Sequence, residues 1–196
     1  MAEISAQKRI WGWIAFDWAT QPFYTLLLTF IFGPYFAAIA TQALMDGGLT
    51  EQVADARAQS MWSLGQTVSG LFIAFSAPLL GAVADSAGKK MPWIIAFSVM
   101  YVGGAWALWS LTPDGDGLWF ALIAFGIAFV GAEFALLFTN ASLPSPGDDA
   151  EVGHLSGKGA SIGSWGGVLS PIITLTVFAE TYTAKPLHGL YPLLGL

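Results

Sequence analysis

Long stretches without a charged side chain dominate this sequence and restrict what it can fold into. Residues 61–84, 93–112 and 159–179 contain no charge, and residues 10–44 and 118–140 contain one acid each. A helix of about 20 apolar residues crosses the hydrocarbon core of a membrane, and each of these blocks reaches that length. Charged residues make up 10% of the chain, against about 25% in an ordinary soluble domain. The pattern predicts an all-α, polytopic membrane protein.

The blocks predict five complete transmembrane helices, and residues 189–196 then begin a truncated sixth. The longer connections are predicted to be loops at 46–60 and 141–158. Positions 8, 9, 89, 90 and 158 are basic and fall on the N-terminal side of the membrane, whereas Arg57 and Lys185 fall on the other side with most loop acids. Because basic residues concentrate in cytoplasmic loops, the N-terminus is predicted to be cytoplasmic. Six tryptophans near the span ends fit an aromatic belt: Trp11, Trp13, Trp62, Trp93, Trp109 and Trp119.

Several kinds of chemistry are not expected from the composition. The chain has no cysteine, so it can form neither a disulfide nor a thiolate site. It shows no cluster of metal-ligand residues, and we expect neither a metal nor another cofactor. The net charge of −6 comes mainly from acids in the connections and does not indicate nucleic-acid binding. The expected surroundings are a lipid bilayer.

The connection between the second and third spans carries the most informative motif. It reads GAVADSAGKK, residues 81–90, and its pattern is similar to the signature G-x-x-x-D-[RK]-x-G-[RK]-[RK] of the major facilitator superfamily in this loop. The matching positions are Gly81, Asp85, Gly88, Lys89 and Lys90. Ser86 replaces a basic residue of the family pattern. The alternative is a generic basic turn between two helices.

The residue types of this loop predict specific local structure. Gly81 would let another helix approach closely, and Gly88 would adopt a positive φ in a tight turn. Asp85 would accept hydrogen bonds from a helix N-terminus, whose partial positive charge favours an anion. Lys89 and Lys90 would hold the loop on the cytoplasmic side.

Two further stretches narrow the resemblance. They are WIAFDWAT at residues 13–20 and TNASLP at 139–144, the latter followed by SGKG at 156–159 and GSWGG at 163–167. Together they resemble the vacuole-effluxer-like branch of the superfamily, the autophagy-related amino-acid effluxers. The resemblance implies the N-terminal six-helix bundle of a two-half transporter for a small polar solute, amino acids included. It also implies a bacterial cytoplasmic membrane, a missing C-terminal half, and a chain that is inactive alone.

Two carboxylates interrupt the apolar blocks, Asp17 in the first span and Glu133 in the fourth. Each acid lies seven residues from the end of its span that is predicted to face the cytoplasm. At 1.5 Å per residue, both acids would be roughly 10 Å deep in the membrane. In the superfamily these two spans line the solute cavity, so the acids are predicted to meet there. Since a low dielectric and a like-charged neighbour both favour the neutral carboxylic acid, we predict that at least one binds a proton at neutral pH and couples transport to protons.

Other polar or small residues within the spans have two interpretations each. Gln66 and Asn140 are candidates for solute contact, as are the two acids, but such side chains also join neighbouring helices by hydrogen bonds. Gly159, Gly163 and Gly167 recur at every fourth position of the fifth span. Such a stripe of small residues favours close helix packing.

Two alternatives to a transporter half follow from the sequence. Residues 159–163 read G-x-S-x-G, the pattern of a hydrolase nucleophile elbow, but an elbow needs a strand before it and a helix after it. His154 and His188 both lie outside the spans, so no enzymatic activity, such as that of an intramembrane serine hydrolase, is expected. The second alternative is a half-size carrier that pairs with another copy of itself.

Overall fold

The computed structural model describes residues 6–86, 88–142 and 149–183, and every regular element in these ranges is helical. The elements are α1 (Ala6–Pro22), a π-helical segment (Phe23–Phe30), α2 (Phe32–Asp46), α3 (Glu51–Ser86), α4 (Met91–Ala107), a 3₁₀ turn (Leu108–Ser110), α5 (Leu118–Ala141) and α6 (Asp149–Thr183). The prediction of an all-α fold is confirmed for this part of the chain.

Among the described residues, four helical stretches are long and apolar enough to cross a membrane, which is compatible with an integral membrane protein. They are Ile10–Asp46, Glu51–Ser86, Met91–Ser110 and Leu118–Ala141, and they correspond to the first four predicted spans. Residues 159–179, the predicted fifth span, lie within α6, and their place in a membrane stays a prediction. Residues 189–196, the predicted partial sixth span, lie outside the described residues.

Two connections that the sequence predicts as loops are partly helical. α3 begins at Glu51 because Ala54 and Ala58 are fully buried and hold its polar first turns against the bundle. Glu51 also puts a carboxylate into the first turn, where the helix dipole favours negative charge. α6 begins at Asp149, so the second half of the predicted loop 141–158 is helical too.

A change of helix type divides the first span. Pro22 has no N–H to donate to the carbonyl of Trp18 four residues earlier, and the backbone continues as a π-helix over Phe23–Phe30. At the end of this segment the Ile31 N–H donates to the Leu26 carbonyl five residues back, at 2.7 Å. The span therefore consists of two α-helices joined by a wider turn.

Threonine hydroxyls supply hydrogen bonds to backbone carbonyls around this segment. Thr25 Oγ1 donates to the Gln21 carbonyl and Thr29 Oγ1 donates to the Tyr24 carbonyl, each at 2.9 Å. Pro34 lies in the first turn of α2, where N–H groups have no intrahelical acceptor in any case. The segment thus satisfies its carbonyls within the chain, as surroundings without water require.

α5 is the central helix of the bundle, since it packs against α3 and α4 and also contacts α1. Its Phe125 is fully buried and its ring centroid lies 4.5 Å from that of Trp62 on α3. Phe32 and Phe36 of α2 pack on the same indole. The prediction that Trp62 belongs to the aromatic belt is wrong, because only 9% of this residue is exposed.

Glycines bring α4 and α5 into close contact. A Cβ atom at Gly104 of α4 would lie 2.7 Å from the Ala128 nitrogen and 2.8 Å from the Ala124 oxygen. A Cβ atom at Gly131 of α5 would lie 2.6 Å from the Tyr101 nitrogen. The two backbones approach at these points only because neither glycine has a side chain.

The alternating helix directions bring like charges together at each end of the bundle. The α1 start and the α5 end meet where Trp13 Nε1 donates to Asn140 Oδ1 at 2.7 Å, and Lys90 Nζ donates to the Ala141 carbonyl beside them. We call this the basic end, because Lys8, Lys89 and Lys90 lie on it.

At the opposite end, the turn before α5 meets the end of α2. A Cβ atom at Gly115 would lie 2.6 Å from the Ala43 Cβ, and Gly115 has a φ of +85°, which glycine adopts without strain. We call this the acidic end. Its acids are Asp46, Glu51, Asp55, Asp114 and Asp116.

Substitutions at two adjacent glycines of α4 test this packing. We expect Gly104→Ala to lower the free energy of unfolding by about 1–3 kcal/mol, because the added methyl would overlap the α5 backbone. Gly103→Ala is the matched control, because nothing lies within 4 Å of its Cβ position, and it should be neutral or add up to ~1 kcal/mol through helix propensity. Unfolding in mixed detergent, followed by circular dichroism, measures both, and equal losses would contradict the close contact.

Candidate functional site

A hydrogen bond between side chains joins the first span to α5 inside the bundle. The Tyr24 hydroxyl, on the π-helical segment, donates to Glu133 Oε1 on α5 at 3.0 Å. Both residues are partly buried. Tyr24 packs edge-on against the fully buried Phe23, whose ring also meets Tyr101 of α4 edge-on. Glu133 thus has a defined partner that is neutral and carries a proton.

Asp17 lies one to two turns before Tyr24 on α1 and faces α6. Gln21 hydrogen-bonds its side chain, and Tyr24 lies within the electrostatic reach of both Asp17 and Glu133. A Cβ atom at Gly163 of α6 would overlap the Asp17 carboxylate. The carboxylate therefore lies directly over the α6 backbone.

The two acids share a neighbourhood but not a hydrogen bond. Within the part of the chain that the structure describes, Glu133 accepts a hydrogen bond from Tyr24, whereas Asp17 interacts with Tyr24 through its charge alone. Helical side chains lean toward the N-terminus of their helix, so the hydroxyl of Tyr24 reaches back to the level of Glu133.

Glu133 and Asn140 line one cavity between α3 and α5. The cavity has a volume of about 180 Å³, and Ile73 and Ala77 form its α3 wall. Its polar lining therefore comes from α5, at two of the positions that the sequence singles out. Asp17 is not among the residues that line it.

The other two predicted polar residues have different surroundings. Asn140 accepts the hydrogen bond from Trp13, so it joins α1 to α5 as well as lining the cavity. Gln66 is partly buried on α3, seven and eleven residues before Ile73 and Ala77. This spacing places Gln66 on the cavity side of its helix, roughly 10 Å nearer the acidic end.

Glycines of α6 form a seam against α1 and the π-helical segment. Added Cβ atoms at Gly159 and Gly163 would overlap Trp13 and Asp17, and one at Gly167 would lie 3.2 Å from the Thr25 methyl group. The stripe Gly159, Gly163 and Gly167 therefore faces the first span.

Hydroxyl groups complete the seam beyond the glycines. Thr25 Oγ1 and Ser170 Oγ lie 3.1 Å apart. Pro171 removes the donor that the Gly167 carbonyl would receive from it, and Ser170 Oγ lies 3.5 Å from this oxygen. The two proline-containing stretches thus meet at the hydroxyls of Thr25 and Ser170.

The loop with the transporter-like motif differs from its expected local structure. No atom lies within 4 Å of a Cβ position at Gly81, and Gly88 does not have a positive φ. Asp85 is exposed within α3, and no side chain caps the first turn of α4. Lys89 is exposed, whereas Lys90 bonds the carbonyl at the end of α5, where a cation is favourable. The motif therefore contacts α5 through Lys90.

The G-x-S-x-G stretch is helical throughout. Residues 159–163 lie inside α6, and Ser161 Oγ donates to the Gly157 carbonyl at 2.8 Å. A nucleophile elbow requires a strand, a sharp turn and a helix, whereas this stretch lies inside one continuous helix.

Tyr24 and Trp13 are the site residues that the sequence interpretation missed. Trp13, Asp17, Gln21 and Tyr24 are spaced by four, four and three residues, which places them on one face of a helix. This spacing could have identified Trp13 and Tyr24 as residues on the same helix face as Asp17. The partners of Trp13 and Tyr24 lie on α5, more than 100 residues away, so the pairing itself could not be read from the sequence.

Comparison with models of protein families, with curated proteins and with solved structures finds no match for this chain. The fold and the site therefore define only the general structural class of the chain. Its described residues form helices, of which four stretches are able to cross a membrane, and a partly buried acid is hydrogen-bonded between two of them.

Removal of the Tyr24 hydroxyl tests the central hydrogen bond. We expect Tyr24→Phe to shift the infrared band of the Glu133 carboxyl group and to cost about 0.6–1.7 kcal/mol of stability, which runs from the average to the maximum measured for interhelical hydrogen bonds in a membrane protein. Tyr101→Phe is the matched control, since Tyr101 is also partly buried and its ring also meets Phe23. The band is assigned by its absence in Glu133→Gln. A band that does not move in Tyr24→Phe would contradict the hydrogen bond.

Proposed function

We propose that this chain is the N-terminal half of a secondary transporter of the major facilitator type, with a small polar solute as its substrate and protons as its coupling ion. Amino acids are the first candidate solutes, because of the resemblance to the effluxer-like branch. The membrane would be a bacterial cytoplasmic membrane, with the basic end of the bundle in the cytoplasm.

The observation that carries the proposal is the Tyr24–Glu133 hydrogen bond beside a cavity, within helices apolar enough to cross a membrane. An ionisable residue at membrane depth is costly and is a functional candidate by default. The hydrogen-bond partners of Asp17 and Glu133 are neutral groups, Gln21 and Tyr24. A structural role alone would be met by a neutral amide at either position.

The chemistry of the site suits exchange between a proton and a cationic group. As a carboxylate, Glu133 accepts the hydrogen bond from Tyr24 and keeps its second oxygen free for a proton or for the ammonium group of a solute. Protonation cancels the charge and removes the attraction for such a cation. Proton binding and solute binding at Glu133 would then exclude each other, which couples the two fluxes.

The cavity on this half would form one wall of the solute site. Its volume of about 180 Å³ is smaller than the ~300–1,000 Å³ of complete small-molecule sites. In transporters built from two repeats, the solute binds between the halves. The missing C-terminal half would therefore supply the opposite wall, and the chain alone would not transport.

Charge-neutral replacement of one buried and one exposed acid tests this function. The protein, with any downstream segment that its reading frame encodes, is reconstituted into liposomes containing a pH-sensitive dye and supplied with a panel of amino acids. Glu133→Gln should abolish proton-driven accumulation of the transported solute but retain solute exchange at equal concentrations, because the proton site is lost and the cavity remains.

Glu51→Gln is the control, since Glu51 is exposed in the first turn of α3, and it should transport normally. Asp17→Asn shows whether the second acid takes part in coupling. Unchanged proton-driven accumulation in both Glu133→Gln and Asp17→Asn would refute proton coupling. Transport by residues 1–196 alone, with a crosslinked dimer, would favour the half-size carrier instead.

A further inference from the structure

A wide apolar groove runs along the outside of α3, α4 and α5. Its volume is about 640 Å³, and its α3 wall extends from Leu64 to Leu80, a helix length of roughly 24 Å. Large apolar side chains line it and are more than half exposed, among them Leu64, Val68, Phe72 and Ile123. Between membrane-spanning helices, such a surface contacts either hydrocarbon or another apolar segment.

A second cavity opens at the acidic end of this groove. Its volume is about 480 Å³, and it lies between the end of α2, the first turns of α3 and the turn before α5. Arg57 lines it together with Met61 and Phe120. Trp119 lines both the cavity and the groove, so the two adjoin at this residue.

Arg57 is a cation at an end that is otherwise acidic. Within the described residues it is the basic residue of this end, and it forms no ion pair with another described residue. The positions three and four residues away on α3 are Val53, Ala54, Ser60 and Met61, so its own helix provides no acid at the spacing that forms a pair. The guanidinium can therefore accept an anion from outside the chain.

The level of Arg57 matches the headgroup region of a bilayer. Trp119 and Trp109, at this end of α5 and α4, are 60% and 88% exposed, as expected of tryptophans at a membrane interface. Arg57 lies seven residues, roughly 10 Å, from Leu64 toward solvent along α3. A cation thus lies at headgroup depth above a groove at acyl-chain depth.

We propose that the cavity and groove form a binding site for an anionic phospholipid, whose phosphate binds Arg57 and one of whose acyl chains lies along the α3–α5 groove. A guanidinium binds phosphate oxygens through two parallel hydrogen bonds. One leaflet of the hydrocarbon core is about 15 Å thick, half of the ~30 Å core, so the groove is long enough for an acyl chain. A transmembrane helix in the same groove would leave Arg57 without an anion unless it buried an acid there.

Photocrosslinking in nanodiscs tests the proposal. The full chain is placed in zwitterionic lipid with a small fraction of phosphatidylglycerol that carries a diazirine in one acyl chain, or with phosphatidylcholine labelled in the same way. After illumination, mass spectrometry compares the labelling of peptides from residues 64–80 and 119–134. Phosphatidylglycerol should label both about fivefold more than phosphatidylcholine, the factor expected for one basic residue that contacts an anionic lipid.

Variants of Arg57 test whether its charge causes the preference for phosphatidylglycerol over phosphatidylcholine. Arg57→Gln should remove it, Arg57→Lys should keep most of it, and Lys89→Gln, an exposed cation at the basic end, should leave it unchanged. Circular dichroism and gel filtration check that each variant folds. If Arg57→Gln does not fold, competition in the wild-type protein decides, since unlabelled phosphatidylglycerol should displace the probe and phosphatidylcholine should not.

The remaining outcomes would overturn the proposal. Equal labelling by the two lipids, or a preference that survives in Arg57→Gln, would mean that the groove contacts ordinary lipid without selecting it. Labelling elsewhere on the bundle but not along the groove would mean that a helix or a second copy of the chain covers it. Either result would leave the proposed transport unaffected, because Glu133 is not among the residues that line the groove.

Discussion

Surroundings without water impose the constraint on which this structure depends, because every backbone polar group in a span must find its hydrogen-bond partner within the protein. The first span shows the consequence most clearly. Pro22 removes a backbone donor, and the chain responds with a π-helical turn and with threonine hydroxyls that bond carbonyls. The same constraint brings Tyr24 to Glu133 and Trp13 to Asn140. The first span is thus joined to α5 by polar side chains as well as by packing.

Close approach of backbones is the second feature of the bundle, and it occurs at two separate seams. Gly104 and Gly131 join α4 to α5, whereas Gly159 and Gly163 join α6 to α1. Between the seams the first span changes partner: α1 packs on α6 and α2 packs on α3. The π-helical segment lies at this change of partner, and it carries Tyr24. The hydrogen bond to Glu133 is therefore located where the two parts of the first span meet.

The sequence predicted the fold class and the first four spans because uncharged blocks of this length have few alternatives in water. It missed the helical first turns of α3 and α6, whose polar residues are typical of a loop, and it misassigned Trp62, whose position near a span end says nothing about burial. Glu133 and Asn140 were identified as candidate site residues and line one cavity. Tyr24 was missed because its importance depends on a partner in a distant helix. Gly88 lacks the expected positive φ, since the short motif constrains the residue type and not the backbone.

Crosslinking in membranes measures most directly whether Glu133 and Tyr24 face each other between the spans. The chain has no cysteine, so a pair of cysteines introduced by Tyr24→Cys and Glu133→Cys can be crosslinked without any background from native thiols. A short bifunctional thiol reagent should join this pair efficiently, and it should not join a pair of Tyr24→Cys with Phe75→Cys, because Phe75 of α3 is 81% exposed on the outside of the bundle. No crosslink for the first pair, or equal crosslinking of both, would contradict the internal polar site.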